Sequence, residues 1–241
     1  MNRRRLPLAL ACVPVALSCL LLPCAASADN ITGWYAGGNI GFDIPVNQNL
    51  TFAGNGVTNQ YSAGFVGGIR GGYSFGNGLR PELEFNYHRA SIQNSTIYTD
   101  GLTAPVGAAS GSESAKTLLA DAWYDFRQPD GMLSVIYPYV GAGIGVADVS
   151  ISSERFSSFQ GSGGTASGSS TVIAYQIGFG ANYQITPYLV ASADFRYLMT
   201  TNFAIPGQTS GDSDSSRKLV GAYREPSLFV GLNYKFGGGE S

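Results

Sequence analysis

The chain has 241 residues, of which 44% are hydrophobic, 12% charged and 12% aromatic, with 33 glycines and three cysteines. That length suits one domain or at most two. The charge is too sparse and the aromatics too many for a disordered chain, and the glycines lack the three-residue period of collagen. A folded, β-rich chain remains.

Residues 1–28 stand apart. Arg3, Arg4 and Arg5 precede an apolar stretch from Leu6 to Leu22, and Ala26-Ser27-Ala28 places small residues at a cleavage site. This is the pattern of a secretory signal peptide, cut before Asp29; an N-terminal membrane anchor is the alternative if that site is unused. All three cysteines, Cys12, Cys19 and Cys24, fall in the leader, so the mature chain, 29–241, leaves the cytoplasm without a disulfide. Losing the leader's three arginines leaves 11 basic against 16 acidic residues, a net charge of −5 that speaks against a nucleic-acid partner.

Beyond the leader no run of 18 apolar residues occurs, and apolar residues recur with a period of two, which a strand gathers on one side and a helix would scatter. Trp34, Ala36, Gly38, Ile40 and Phe42 alternate with Tyr35, Gly37, Asn39, Gly41 and Asp43. Phe65 and Ile69 in Tyr61–Tyr73 oppose Ser62 and Arg70. Leu83, Phe85 and Tyr87 oppose Glu82, Glu84, Asn86 and His88. Leu118, Ala120, Ala122 and Tyr124 oppose Asp121, Trp123 and Asp125. Ile136–Val146, Ile173–Tyr183, Leu189–Tyr197 and Leu228–Phe236 repeat the pattern, so eight strands are predicted. Long polar connections (Ile44–Gln60, Ser91–Ser112, Val149–Ser170, Thr200–Ser216) take turns with short ones (Phe75–Gly78, Arg127–Gly131, Gln184–Pro187). One end therefore carries four long loops and the other three tight turns, with Gly76-Asn77-Gly78 and Pro129-Asp130-Gly131 suited to turning.

Three features turn the apolar face outward, toward lipid. Strands of about 11 residues, tilted near 45°, span roughly 25 Å, the height of a membrane barrel's apolar band. Aromatics gather at both ends of the apolar face: Trp34, Tyr73, Phe75, Tyr124, Phe126, Tyr183 and Phe236 at the turn end, and Phe42, Tyr61, Tyr87, Tyr175 and Tyr197 nearer the loops. The polar face groups both signs of charge, in Arg70, Glu82, Glu84, Asp121, Asp125, Asp194, Arg196 and Lys235, as a narrow packed interior would. Unpaired strand edges are costly in hydrocarbon, so the sheet must close, and eight strands leave an interior that side chains can fill. The expected fold is an all-β, eight-stranded antiparallel up-and-down transmembrane barrel with its strands within about 33–236. A soluble barrel shares the alternation and is the competing reading.

Several segments also carry a family likeness. Gly33–Gly41 (GWYAGGNIG), Pro81–Tyr87 (PELEFNY), Tyr139–Gly145 (YVGAGIG) and Val230–Phe236 (VGLNYKF) resemble, in this order and spacing, the OmpA-like eight-stranded outer-membrane β-barrel family, in particular the small "porin family" and opacity-protein-like surface barrels of Gram-negative bacteria. The resemblance spans the mature chain. It implies residence in the outer membrane, contact with its lipids and lipopolysaccharide, insertion by the barrel assembly machinery, and Gly231, Tyr234 and Phe236 as the recognition signal for that machinery. Gly237–Ser241 depart from the family, whose members usually stop at the aromatic.

Chemistry-bearing motifs are few. His88, the one histidine, faces inward by parity, and Ser91 faces the other way, so no serine–histidine pair forms. Gly141-x-Gly143-x-Gly145 lacks the helix of a dinucleotide site. Asp212 and Asp214 lack the glycine and distal glutamate of a calcium loop. No catalytic, cofactor or metal residues are expected. Arg70, Glu84, Asp194 and Arg196 are expected to form an interior ion network that fixes register and plugs the lumen. The chain then reads as a non-enzymatic structural and surface-interaction protein, adhesin-like, whose long loops meet a host or extracellular ligand. A narrow porin-like channel is the alternative, and an outer-membrane lipid-modifying enzyme the third.

Overall fold

The two-residue periodicity becomes a closed wall. In the computed structural model of the protein, which describes residues 32–52, 55–99, 102–106, 111–128, 131–156, 164–209 and 218–236, eleven strands form one sheet. In chain order they are β1 (Gly33–Asp43), β2 (Gln48–Phe52), β3 (Asn55–Tyr61), β4 (Gly64–Ser74), β5 (Leu79–Thr99), β6 (Leu102–Val106), β7 (Gly111–Asp125), β8 (Ile136–Phe156), β9 (Gly164–Gln184), β10 (Leu189–Thr209) and β11 (Lys218–Phe236). The expected leader, 1–28, and the residues after Phe236 lie outside the described residues, as do Asp212 and Asp214.

Eight of these strands make the ring β1–β4–β5–β7–β8–β9–β10–β11, every neighbour antiparallel, closed where Trp34 faces Phe236 and Asp43 faces Ser227. Three tight turns join strands at one end. In the first, Gly76 and Gly78 take positive φ of 77° and 92° while the Asn77 side chain accepts from the Leu79 amide at 3.0 Å; only glycine adopts that backbone without strain. The second holds a short helix, α1 (Met132–Val135), just past the expected turn 127–131. The third is pinned by the Thr186 hydroxyl, which accepts from the Leu189 amide at 3.0 Å.

The wall is taller than the apolar stretches suggest. Strands β5, β8, β9 and β10 each run 21 residues, so most of what reads as long loop continues the ladder past the upper aromatics. Across that level the alternation changes phase. On β8, Val140, Ile144 and Val146 face out and Tyr139 faces in; higher up, Ala147, Val149 and Ile151 face in and Asp148, Ser150 and Ser152 face out. Inside lipid the apolar side chains belong outside, and inside water they belong within, so one strand obeys both solvents in turn. The segment Ile44–Gln60, expected to be a polar loop, instead holds the β2–β3 hairpin. It enters the wall between β11 and β5, above the ends of β1 and β4.

Candidate functional site

The barrel interior is where chemistry-bearing side chains converge, because every second residue of eight strands points there. Leu83 is 57% exposed and its neighbour Glu84 0%, which sets the orientation of the whole ladder. Of the eight residues expected inside, Arg70, Glu82, Glu84, Asp121, Asp194 and Arg196 are buried, and Asp125 and Lys235 are half-buried. With their neighbours they build the lower two of three storeys.

The lowest, at the turn end, is organised by Arg80. Its guanidinium donates to Glu82 Oε2 (3.0 Å), to Asp125 Oδ2 (3.2 Å) and to the Tyr35 hydroxyl (3.0 Å), and Tyr35 in turn donates to Glu82 at 2.7 Å. Lys235 borders the small cavity of about 20 Å³ beside Arg80 and Asp125. Arg80 precedes Glu82 and Glu84 at the same inward parity, but it lies before Pro81 and so outside the alternation that the sequence shows from Glu82.

The middle storey crosses the lumen. Arg196 Nη1 holds both oxygens of Glu84 at 2.5 Å, its Nε donates to Asp194 at 2.5 Å, and the guanidinium lies 5.0 Å from the Trp123 ring centre and 4.8 Å from that of Phe229. Tyr139 donates to Asp194 at 2.6 Å, Asn39 and Asn86 donate to Glu84, and Gln176 donates to Asp121 at 2.6 Å. Arg70, expected in this ion network, is drawn elsewhere: it faces Glu84 in register, yet its guanidinium donates to Asn233 Oδ1 and Ser192 Oγ, both at 2.8 Å. The Glu84 carboxylate is taken by Arg196, and Arg70 is satisfied by two neutral acceptors instead. Glu82, Glu84 and Asp121 bring carboxylate oxygens within 4.8 Å of one another, where Arg80 and Arg196 supply the opposite charge to Glu82 and Glu84.

The third storey centres on Asp43, 1% exposed, which accepts from Ser227 Oγ at 2.6 Å and meets His88 Nδ1 at 3.1 Å. His88 thus pairs with an acid from β1 that parity alone could not assign to it. Above lies an apolar core inside the extramembrane wall, including Leu50, Val57, Leu119, Val149, Ile151, Leu198, Phe203 and Ile205.

On the outer face the lower aromatics interlock edge to face. Trp34 and Tyr73 lie 5.2 Å apart, Tyr73 and Phe75 5.1 Å, and Tyr124 and Phe126 5.0 Å. Tyr183 and Phe236 are exposed at the same end, Phe42 and Tyr175 are exposed nearer the loops, and Tyr87 and Tyr197 are half-buried there. Tyr61 is a correction. It ends β3, not β4, and is buried against Ile92 instead of joining the outer aromatics. Gly231 faces the lumen, its missing side chain giving room to the Arg70 guanidinium, while Tyr234 and Phe236 meet edge to face outside at 5.3 Å.

With this geometry in place, comparison decides the family. The sequence profile described as Outer membrane protein beta-barrel domain matches residues 13–236. The chain belongs to that family. An outer membrane protein of Gluconacetobacter diazotrophicus is 32% identical over 193 residues, 73% of this chain and 49% of the relative. Outer membrane protein PagN of Salmonella typhimurium is 25% identical over 121 residues, 50% of this chain and 49% of the relative. The chain therefore spans about half the length of these relatives. Among solved structures, outer membrane protein OprG of Pseudomonas aeruginosa has the same fold, with a TM-score of 0.50 and 18% identity over 88% of this chain and 99% of that one. The protein is thus an eight-stranded barrel of the outer membrane, its exposed apolar face in lipid, as the family likeness of its segments implied.

Proposed function

We propose that this outer-membrane barrel is a non-enzymatic structural and surface-interaction protein, with the extramembrane wall and loop tips as its working part. The observation that carries the reading is the filling of the lumen at successive levels: the Arg80 and Arg196 storeys, then Asp43 with His88, then an apolar core that has buried Glu113 and Glu225 on its neighbouring strands. Salt-bridged and aromatic side chains reaching across the middle, with Leu, Ile and Phe side chains above them, speak against a water-filled path and so against the channel reading. The same apolar core draws side chains from β2, β3, β7, β8, β9, β10 and β11 and holds them as a rigid pedestal, and loops on a rigid scaffold are where recognition is concentrated.

The test is loop exchange. Proteoliposomes carrying the intact protein are expected to adhere to cultured epithelial cells. Replacing 157–163 and 210–217 by short glycine–serine links should reduce adhesion to the level of empty liposomes while the barrel keeps its heat-modifiable migration. Adhesion that survives the exchange, or is never above that of empty liposomes, overturns the proposal.

A further inference from the structure

Above the membrane the wall has a seam. Strand β11 pairs with β2 only through Leu219 opposite Phe52 and Val220 opposite Thr51, and with β1 only from Ser227 downward. Between these stretches the connection 44–47 crosses, with the Ile44 amide donating to the Pro226 carbonyl at 2.7 Å. A polar groove of about 330 Å³ opens there, lined by Asn47, Gln48, Asn49, Thr51, Asn202 and Arg224. None of its lining residues carries a carboxylate. Gln48 is only 4% exposed, and neither atom of its amide has a hydrogen-bond partner.

A second groove, apolar and of about 270 Å³, lies lower on the same outer face, where Ile40, Phe42, Phe65, Leu228 and Val230 surround Gly41. Arg224 and Leu228 share the outward face of β11 four residues apart, about 13 Å along the strand at ~3.3 Å per residue. The lower groove faces acyl chains; the upper one stands where head groups begin. An arginine among neutral amides and a hydroxyl suits a phosphate flanked by sugar hydroxyls, because the guanidinium forks onto phosphate oxygens while amides both donate and accept. The spacing leaves room for a sugar between phosphate and acyl chain.

We infer that this seam binds one molecule of a phosphorylated glycolipid of the outer leaflet, its phosphate on Arg224, its sugar among Asn47, Asn49 and Asn202, and an acyl chain in the groove beside Gly41. The site depends on the barrel's place in the membrane and not on what the loops recognise. Lys116 provides the internal control: it is also exposed and basic, but it stands on β7, four strands round the ring, with Asp148 opposite it.

Native mass spectrometry of the mature full-length protein in detergent, titrated with bis-phosphorylated lipid A, tests the inference. One lipid per protein is expected, with at least a tenfold loss of affinity in Arg224→Gln and in Val230→Trp and no change in Lys116→Gln, each variant first shown to migrate as a folded barrel. If Arg224→Gln does not fold, Asn202→Leu takes its place with the same expected loss. Equal losses in the Arg224 and Lys116 variants reduce the site to diffuse charge attraction and overturn it. Phosphatidylglycerol binding as tightly as lipid A removes the sugar, and glucosamine 1-phosphate binding as tightly removes the acyl chain; either result overturns the glycolipid.

Discussion

Replacing Arg196 by Met removes the cation at the centre of the middle storey while keeping a side chain of similar reach. Arg196 is 1% exposed, and its loss leaves Glu84 and Asp194, themselves 0% and 5% exposed, as buried carboxylates without their counter-charge. Breaking a buried pair from one side costs about 3–5 kcal/mol, because the orphaned charge keeps its desolvation penalty. Here two acids lose the same partner, but each keeps other donors: Asn39 and Asn86 for Glu84, Tyr139 for Asp194. The lower half of that range, about 3–4 kcal/mol, is therefore expected. Adding Glu84→Gln to Arg196→Met should recover at least about 1 kcal/mol of it, because a neutral amide has no charge to compensate and the two residues are in direct contact. Urea titration in phospholipid vesicles, followed by heat-modifiable migration, measures both. A loss below about 1 kcal/mol, as for a solvated surface pair, would refute the claim that this ion cluster is dry and structural.

Three further outcomes follow from the wall. Ile69→Arg places a charge on the lipid face, where Ile69 is 68% exposed midway between the two aromatic levels, and should lower stability in vesicles by about 2–4 kcal/mol; a loss near zero would return the barrel to water. Gly145→Ala should prevent folding, since a Cβ there collides with the backbone carbonyl of Leu118 and the Cα of Leu119, whereas Gly71→Ala, whose nearest neighbour would be Tyr35 O at 3.7 Å, should stay within about 0.5 kcal/mol of wild type in the same titration. Leu50→Ala, at a 3% exposed position of the upper core, should cost about 2–5 kcal/mol of local stability and speed proteolysis of the β2–β3 hairpin while the membrane part of the barrel stays protected.

Within the membrane the architecture is written in the sequence with little ambiguity. Lipid allows one polarity on each face, so Leu83 against Glu84 or Ile177 against Gln176 can be read from two residues, and long and short connections give the up-and-down order. Above the membrane that reading loses its footing. Once Val149 and Ile151 turn inward, the apolar face of β8 is the one that was polar lower down, and a search for one constant phase ends the strand near Val146. The hairpin of β2 and β3 is harder still, because Gln48, Asn49, Thr51, Asn55, Thr58 and Asn59 have loop-like composition and only Leu50, Val57 and the terminal Tyr61 mark its buried face. At the site, parity shows which side chains enter the lumen but not which meet. Register brings Arg70 opposite Glu84, yet the contact goes to Arg196, from a strand 112 residues away, and Arg70 turns to Asn233 and Ser192. Partnership across a lumen depends on strand stagger round the whole ring, which no local pattern encodes.

The lumen is filled from the Arg80 storey to the apolar core beneath the loops, and single-channel recording in planar lipid bilayers tests this most directly. Folded protein inserted at low voltage should give a flat baseline, with no steady unit conductance in the wild type. Stable, ohmic openings that recur in every preparation and shift in size with Arg196→Met would contradict it, and would make the interior charges the lining of a passage.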